Sequence, residues 1–138
     1  MVAFAAMVAG IIGMYYAGAL IHRTPLVLVP QGAALALMVW ARVTFGSRSF
    51  HAAASPTSGG IVRTGPYRFI RHPIYTAGII FVVPAAIVAG TPKAFAFAAL
   101  VVAGGIVRML CEESMLVRQY PEYADYMRTT RRSIPGAF

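Results

Sequence analysis

Two short stretches of the sequence carry residue types that could do chemistry. Residues 64–75 hold arginines, a histidine and two tyrosines around two Pro-containing turns. Residues 108–113 hold an arginine and two carboxylates at the end of an apolar stretch. Guanidinium groups bind carboxylates and phosphates, whereas a carboxylate suits an ammonium group or vicinal hydroxyls. Brought together, the two stretches could hold a polar small molecule at a membrane surface.

The first stretch predicts a turn that runs into a helix. Gly65-Pro66 is typical of a turn, because Gly tolerates a positive φ and Pro fixes its own φ. Pro73 suits the first position of a helix, where no backbone N–H is needed. The following N–H groups, at Ile74 and Tyr75, lack an acceptor within the helix and form the positive end of its dipole. We therefore expect an anionic or zwitterionic ligand at this helix start, with Arg71 facing it.

The second stretch places charges where an apolar helix should end. Arg108 and Glu112 are four residues apart, so they share a helix face and can pair. Charges at membrane depth usually face a cavity, a partner or a polar ligand. In an alternative interpretation the helix simply leaves the bilayer here and its charges are solvated.

The composition predicts an all-α integral membrane protein with about four transmembrane helices and a cytoplasmic amphipathic C-terminal helix. Of the 138 residues 59% are hydrophobic and 12% are charged, and soluble domains carry about twice that share of charge. We expect one membrane domain, 1–138, with a loop at 42–73 and a tail at 111–138. Apolar runs near twenty residues predict the spans, at 2–21, 26–41, 74–90 and 94–110. The first run lacks the basic region of a secretory signal, so we expect it to be retained.

The distribution of positive charge predicts the orientation. The 42–73 loop and the tail from Arg108 hold ten of the twelve Lys and Arg residues. An even number of spans puts both segments on one face, so we expect both termini and the site to be cytoplasmic, in a bacterial-type inner membrane. Spans three and four are consecutive and antiparallel, so their cytoplasmic ends should be neighbours and form one site.

Other partners follow from the same composition. A net charge of +8 suits an anionic lipid surface, and no nucleic-acid motif accompanies it, so we expect membrane lipids and no nucleic acid as partners. One cysteine and three scattered histidines give no metal-ligand spacing, and we expect no metal. Gly104-Gly105 favours a close helix–helix contact over an approach to a cofactor, and the Ala/Gly-rich helices could pack as a homodimer.

The order of these motifs resembles a known family. The pattern Gly65-Pro66-Tyr67-Arg68-x-x-Arg71-His72-Pro73-x-Tyr75, a helical hairpin, Arg108-x-x-x-Glu112-Glu113 and a Tyr-rich end at 120–126 is similar to that of the isoprenylcysteine carboxyl methyltransferases. The membrane phospholipid methyltransferases share it more loosely. The resemblance covers about residues 61–135, and the first two spans match only as generic helices.

The resemblance implies S-adenosylmethionine as the cofactor and assigns roles by position. It implies that Arg108 binds the substrate and has a catalytic part in orienting it. It places Gly59 where the family often has a histidine, which His51 could replace. The cofactor-binding residues that it implies are Gly60, Ile61, Val62, Tyr67, His72, Pro73, Ile74, Tyr75 and Glu112.

The expected function is methyl transfer to a lipophilic small-molecule or prenylated acceptor. The first expectation is carboxyl O-methylation of an isoprenylcysteine-like substrate, which needs no base because the acceptor carboxylate is already anionic. The alternative is N-methylation of a phospholipid amine, for which Glu113 or a tyrosine would be the catalytic base. Two further alternatives are an NADPH-dependent enzyme like the sterol reductases and a non-catalytic lipid-binding scaffold.

Overall fold

A computed structural model describes residues 1–46 and 60–133 of the chain. Within these ranges the regular structure is helical, apart from a single parallel β-bridge between Ile70 and Arg131. The all-helical part of the sequence prediction is therefore confirmed. A short 3-10 turn, Gly65–Arg68, precedes α3. The five helices are α1 Val2–Tyr16, α2 Pro25–Phe45, α3 Pro73–Ala89, α4 Pro92–Gln119 and α5 Tyr123–Thr129.

Proline at the first position starts three of the helices, as was predicted for Pro73. The N-terminus of α4 is also capped, because the Thr91 hydroxyl accepts a hydrogen bond from the Ala94 N–H at 3.2 Å. Helix α2 continues through the irregularity that was expected near Pro30. Beside that proline, the buried Gln31 amide donates to the carbonyl oxygens of Leu20, at 2.7 Å, and Phe81, at 3.3 Å. These bonds tie the α1–α2 turn to α3.

Three helices have ends that differ from the predicted spans, and of these α2 runs to Phe45 rather than to 41. Helix α1 stops at Tyr16 rather than near residue 21, and Gly18, with a φ of +64°, turns the chain two residues later. Helix α4 does not stop at 110 but runs unbroken for 28 residues to Gln119. The amphipathic stretch assigned to the tail is thus the last part of α4, where Glu112 pairs with Arg108 of the same helix and Glu113 pairs with Arg71 and Arg132 from other segments.

The helices pack in the spatial order α1, α4, α3, α2. The core lies at the end of the bundle remote from residues 64–75 and 108–113. Its buried residues are Met14, Ala19, Leu20, Val27, Val82, Ala85, Ala86, Ala94, Ala98 and Val101. A close contact between α1 and α4 at Gly104 confirms the interpretation of that glycine, since a Cβ there would lie 2.7 Å from the Ala3 carbonyl oxygen.

Among the helices of residues 1–46 and 60–133, two are long and apolar enough to cross a membrane, judged by length and composition alone: α2 and α4. Helices α1 and α3 are also apolar but have only 15 and 17 residues. Helix α2 exposes a large part of its apolar surface, including Leu26 at 74% and Val43 at 76%. Such a surface is costly in water and suits contact with lipid.

Candidate functional site

The turn before α3 is held against α2 and α5. Gly65 has a φ of +57°, and a Cβ on it would collide with the side chain of Thr44 in α2. The next two residues are buried, and the Tyr67 carbonyl oxygen accepts a hydrogen bond from the Tyr126 hydroxyl at 2.5 Å. Glycine is required here both by the backbone conformation and by the lack of space. The turn therefore delivers residues 71–75 to the bundle end in one fixed orientation.

The end of α4 faces the start of α3, as the antiparallel hairpin predicted. The Tyr75 hydroxyl donates to Glu112 Oε1, and the Arg108 Nε–H donates to the Tyr75 oxygen at 2.7 Å. Arg108 Nη2 also donates to Glu112 Oε1, at 3.3 Å. The other carboxylate oxygen, Oε2, lies 3.7 Å from His72 Nδ1. We call Tyr75, Arg108, Glu112 and His72 the Glu112 site.

A second carboxylate lies deeper and binds a different set of partners. Glu113 is 4% exposed. Its Oε1 accepts from Arg71 Nε at 2.8 Å and contacts His72 Nε2 at 3.1 Å. Its Oε2 accepts from Arg132 Nε and Nη2, at 3.0 and 2.7 Å. We call these four residues the Glu113 cluster.

The Glu113 cluster corrects two expectations. Glu113 was predicted as a base for an amine acceptor, but both of its oxygens already bind charged donors, and such a carboxylate is a poor proton acceptor. Arg71 was expected to face a ligand, yet its side chain is only 7% exposed and turns inward to Glu113. It also donates to the carbonyl oxygens of Met127, at 3.2 Å, and Thr130. Both residues hold the structure together around the Glu112 site.

The segment after α5 closes over the start of α3, and we call residues 130–133 the strap. The backbone N–H groups of Arg71 and His72 donate to the carbonyl oxygens of Arg131 and Arg132, at 2.8 and 3.0 Å. The Thr76 hydroxyl donates to the Ser133 carbonyl oxygen at 3.2 Å. The strap therefore fixes the backbone of His72 from one side, while the Glu113 cluster fixes its ring from the other.

Sequence reasoning missed two residues at the site. Arg132 was assigned no role beyond the positive charge of the tail, but it bridges the strap to Glu113. Phe4, in the first turn of α1, lies with its ring 5.4 Å from the Arg108 guanidinium carbon. A cation above a ring face is an attractive arrangement. No local pattern marks either residue, since both reach the site only through the packing of distant segments.

The remaining residues predicted to bind the cofactor lie outside the hydrogen bonds of the Glu112 site. Tyr67 is buried and bonded to Tyr126, and burial raises the pKa of its phenol above the ordinary value, with Tyr126 and Glu112 raising it further. Pro73 is buried and Ile74 half-buried in the first turn of α3. In the described part of the chain, Gly60, Ile61 and Val62 are not brought into the hydrogen-bonded cluster. His51 and Gly59 lie outside the described residues.

The electrostatics of the strap support its anchoring. The hydrogen bonds from Arg132 to Glu113 hold the pKa of that guanidinium above its ordinary value, against the opposing effect of burial. Arg132 therefore remains a cation at any physiological pH. Its side chain is 20% exposed against 5% for Glu113, so the ion pair is largely shielded from water.

A comparison with known protein families identifies the family of this chain. A family model described as phospholipid methyltransferase matches residues 42–123, more than half of the chain. The chain belongs to the phospholipid methyltransferase family. The match spans the turn, α3 and α4, and so includes both the Glu112 site and Glu113. No curated protein and no solved structure matched the chain.

Membership of the phospholipid methyltransferase family gives the class of reaction. Enzymes of this family are membrane methyltransferases that use S-adenosylmethionine. The family match supports the wider relatives named from the sequence, while the narrower resemblance to isoprenylcysteine carboxyl methyltransferases stays a prediction. Phe4 and Arg132 lie outside the matched range.

Proposed function

We propose that this phospholipid methyltransferase family member N-methylates the amine of a membrane lipid, with S-adenosylmethionine as the methyl donor. One observation carries the proposal: a partly exposed carboxylate, Glu112, lies beside a histidine nitrogen at the end of a bundle whose sides are apolar. A carboxylate binds an ammonium group, and the apolar helix surfaces let the lipid tails remain in the bilayer.

The residues of the Glu112 site fit the proposed cofactor. The Glu112 side chain is 24% exposed, so a ligand can reach it, and the two lone pairs of Oε2 let that oxygen accept from a ribose hydroxyl of the cofactor and from the acceptor amine together. Tyr75 and Arg108 hold one of its oxygens and leave the other facing the imidazole. When bound, S-adenosylmethionine would supply an electrophilic methyl group on a sulfonium.

The protein's own part is alignment and the exclusion of water. Glu112 and Arg108 belong to one helix face and are fixed by the Tyr75 hydroxyl. Groups held this way can lower a bimolecular barrier by about 7–11 kcal/mol through orientation alone. Phe4 covers the guanidinium of Arg108 from the side of α1, which limits the access of water there.

A second function, carboxyl O-methylation of an isoprenylcysteine-like substrate, is favoured by Arg108. Its guanidinium is 8% exposed and lies at the same bundle end, where it could orient an acceptor carboxylate. Such an acceptor needs no base. The two functions therefore differ in whether a proton must be removed before methyl transfer.

We place the four long helices in the bilayer, with the site end toward the cytoplasm. The exposed apolar residues of α1 and α2 support this arrangement, as does the concentration of ten of the twelve Lys and Arg residues in the 42–73 loop and the tail. Cysteine-accessibility labelling in a Cys111→Ser background tests it. A cysteine at Arg128 should react only from the cytoplasmic side, and one at Lys93 only from the opposite side.

The experiment on function uses the chain purified in detergent. We expect calorimetric titration to show binding of S-adenosylmethionine, weakened about 10- to 100-fold in Glu112→Gln through loss of a charged hydrogen-bond acceptor. Glu122→Gln, at an exposed carboxylate of the same bundle end, is the matched control and should bind normally. Binding of NADPH instead would indicate a reductase, and binding of neither cofactor a scaffold.

The acceptor is identified with a deuteriomethyl cofactor. The enzyme is incubated with vesicles containing an aminophospholipid or with a prenylated cysteine, and the lipids are analysed by mass spectrometry. An alkali-stable labelled methyl on the aminophospholipid supports N-methylation. A label that alkali releases from the carboxyl group supports O-methylation and contradicts the leading proposal.

A further inference from the structure

His72 lies between two carboxylates, but it contacts them differently. Its Nε2 is 3.1 Å from Glu113 Oε1, a hydrogen-bond distance, whereas its Nδ1 is 3.7 Å from Glu112 Oε2, which is too long for a hydrogen bond. The residue is 5% exposed. Its two ring nitrogens therefore have separate environments. We call the Nε2 side, which is bonded to Glu113, the closed side, and the Nδ1 side, which faces Glu112 without a hydrogen bond, the open side.

The closed side fixes which nitrogen carries the proton. Glu113 binds two guanidinium groups, from Arg71 and Arg132, so it is an anion that can only accept. The Nε2 atom must then donate, and in the neutral ring the lone pair is on Nδ1. The backbone agrees with this orientation, since the His72 N–H is bonded to the strap and its carbonyl oxygen accepts from the Thr76 hydroxyl at 3.0 Å.

The open side leaves two acceptors facing each other. Glu112 Oε1 is occupied by Tyr75 and Arg108, so Oε2 is the oxygen that points toward Nδ1. Two acceptors separated by 3.7 Å repel each other unless a donor lies between them. A single ammonium nitrogen can lie about 2.9 Å from both, which is an ordinary hydrogen-bond length.

We propose that His72 Nδ1 is the general base that deprotonates the lipid amine, and that Glu113 is the positioning residue that keeps its lone pair toward the acceptor. The proposal rests on the N-methylation function above. A carboxylate that orients a histidine through one ring nitrogen, so that the other can take a proton, is an arrangement found in unrelated enzymes. This role replaces, for the His72 side chain, the cofactor contact implied by the resemblance.

The proton balance of the reaction requires such a group. An aliphatic ammonium has a pKa of about 10 and no lone pair while protonated. One proton moves from the lipid nitrogen to Nδ1, which frees the nitrogen lone pair. That pair forms the new bond to the methyl carbon while the carbon–sulfur pair stays on sulfur, giving a thioether and a methylated ammonium. The proton on Nδ1 then leaves to water before the next turnover.

The test replaces His72 by glutamine, whose amide N–H can still donate to Glu113 but which has no basic nitrogen. We expect the rate of methyl transfer to vesicles containing an aminophospholipid to fall about 10²- to 10⁴-fold, the usual contribution of a general base. The dissociation constant of S-adenosylmethionine should change less than about 3-fold, a shift below 1 kcal/mol. His22→Gln, at the turn between α1 and α2, is the matched control and should keep the normal rate.

A second measurement does not depend on turnover. Nitrogen-15 NMR of the histidine-labelled chain in detergent, with the His72 signals assigned by their loss in His72→Gln, reports the tautomer at the pH of the rate assay. We expect a protonated Nε2 and an unprotonated Nδ1. The charged and titratable groups near the ring are Tyr75, Glu112 and Glu113, together with the arginines that bind those carboxylates, Arg71, Arg108 and Arg132.

The outcomes separate this proposal from the function on which it rests. A full rate in His72→Gln, or a proton on Nδ1 in the free enzyme, overturns the role of His72 alone. An equal loss of cofactor affinity would show that the imidazole serves the cofactor and not the acceptor, and also overturns it. A wild-type chain that methylates no amine lipid overturns the N-methylation function and this proposal with it.

Discussion

Replacing Gly104 by alanine tests the contact that holds α1 against the site. A Cβ at Gly104 would lie 2.7 Å from both the Ala3 carbonyl oxygen and Met7 Cγ. The Ala3 oxygen cannot be avoided by a side-chain rotation, because it belongs to the backbone. The neighbouring Gly105 is the matched control, since a Cβ there would meet only the end of Met7, at 4.0 Å. That distance is an ordinary van der Waals contact.

The size of the effect follows from the difference between the two substitutions. Both gain the same helix propensity, about 1 kcal/mol, so this contribution cancels in the comparison. What remains is the cost of inserting a methyl group into a filled space, about 1–3 kcal/mol. For a chain of this size 1 kcal/mol shifts the melting temperature by about 2–4 °C. We therefore expect Gly104→Ala to melt about 2–12 °C below Gly105→Ala.

The melting temperatures are measured in detergent micelles by intrinsic fluorescence. Since α1 carries Phe4 over Arg108, we also expect Gly104→Ala to raise the KM of the lipid acceptor while Gly105→Ala leaves it unchanged. Equal melting temperatures, or a more stable Gly104→Ala, would show that α1 and α4 do not pack at this glycine. The conclusion that α1 places Phe4 over Arg108 would then be wrong.

Three further predictions concern the charged and aromatic residues. Glu113→Gln should destabilise the fold by about 3–5 kcal/mol in thermal melts, because it leaves buried guanidinium groups without a counter-ion. The control Asp125→Asn, in an exposed pair with Arg128, should cost less than about 1 kcal/mol. Similar losses in the two variants would contradict the buried Glu113 cluster. Arg108→Lys should raise the KM of the acceptor about 10-fold or more, since one ammonium cannot hold Tyr75 and Glu112 as the planar guanidinium does. An unchanged KM would show that Arg108 is not part of the acceptor site. Burial raises the pKa of Tyr126 to about 12 from an ordinary value of 10, so the unfolded chain loses this proton first. The contribution of Tyr126 to stability should be constant below pH 10 and fall between pH 10 and 12, and Tyr126→Phe should make the total fall shallower in melts across that range; an unchanged slope would contradict the burial of this phenol.

The sequence predicted the parts of the site that depend on local rules. The four-residue spacing of Arg108 and Glu112 put them on one helix face, and the hairpin between the two motifs brought Tyr75 to them. Pro73 marked the start of α3 for a steric reason that needs no knowledge of the fold. Each of these rests on geometry within a few turns of one chain segment.

Other parts could not be predicted because they depend on which distant segments meet. The basic run that contains Arg132 has the composition of a solvated tail, and only the return of the strap to α3 buries its charge. The length of α4 was misjudged because charged residues such as Glu113 usually mark a helix leaving the membrane, whereas here they pair across the helices. The role of Glu113 changed for the same reason.

The return of the strap to α3 also has a consequence for biosynthesis. The backbone of His72 is bonded to residues about sixty positions later in the chain. During translation, those residues leave the ribosome only after the whole of α4, which ends at Gln119, has been made. The start of α3 can therefore take its final form only after the strap has been made, and a chain that ends before residue 130 would have all four long helices but would lack the bonds that fix the backbone of His72.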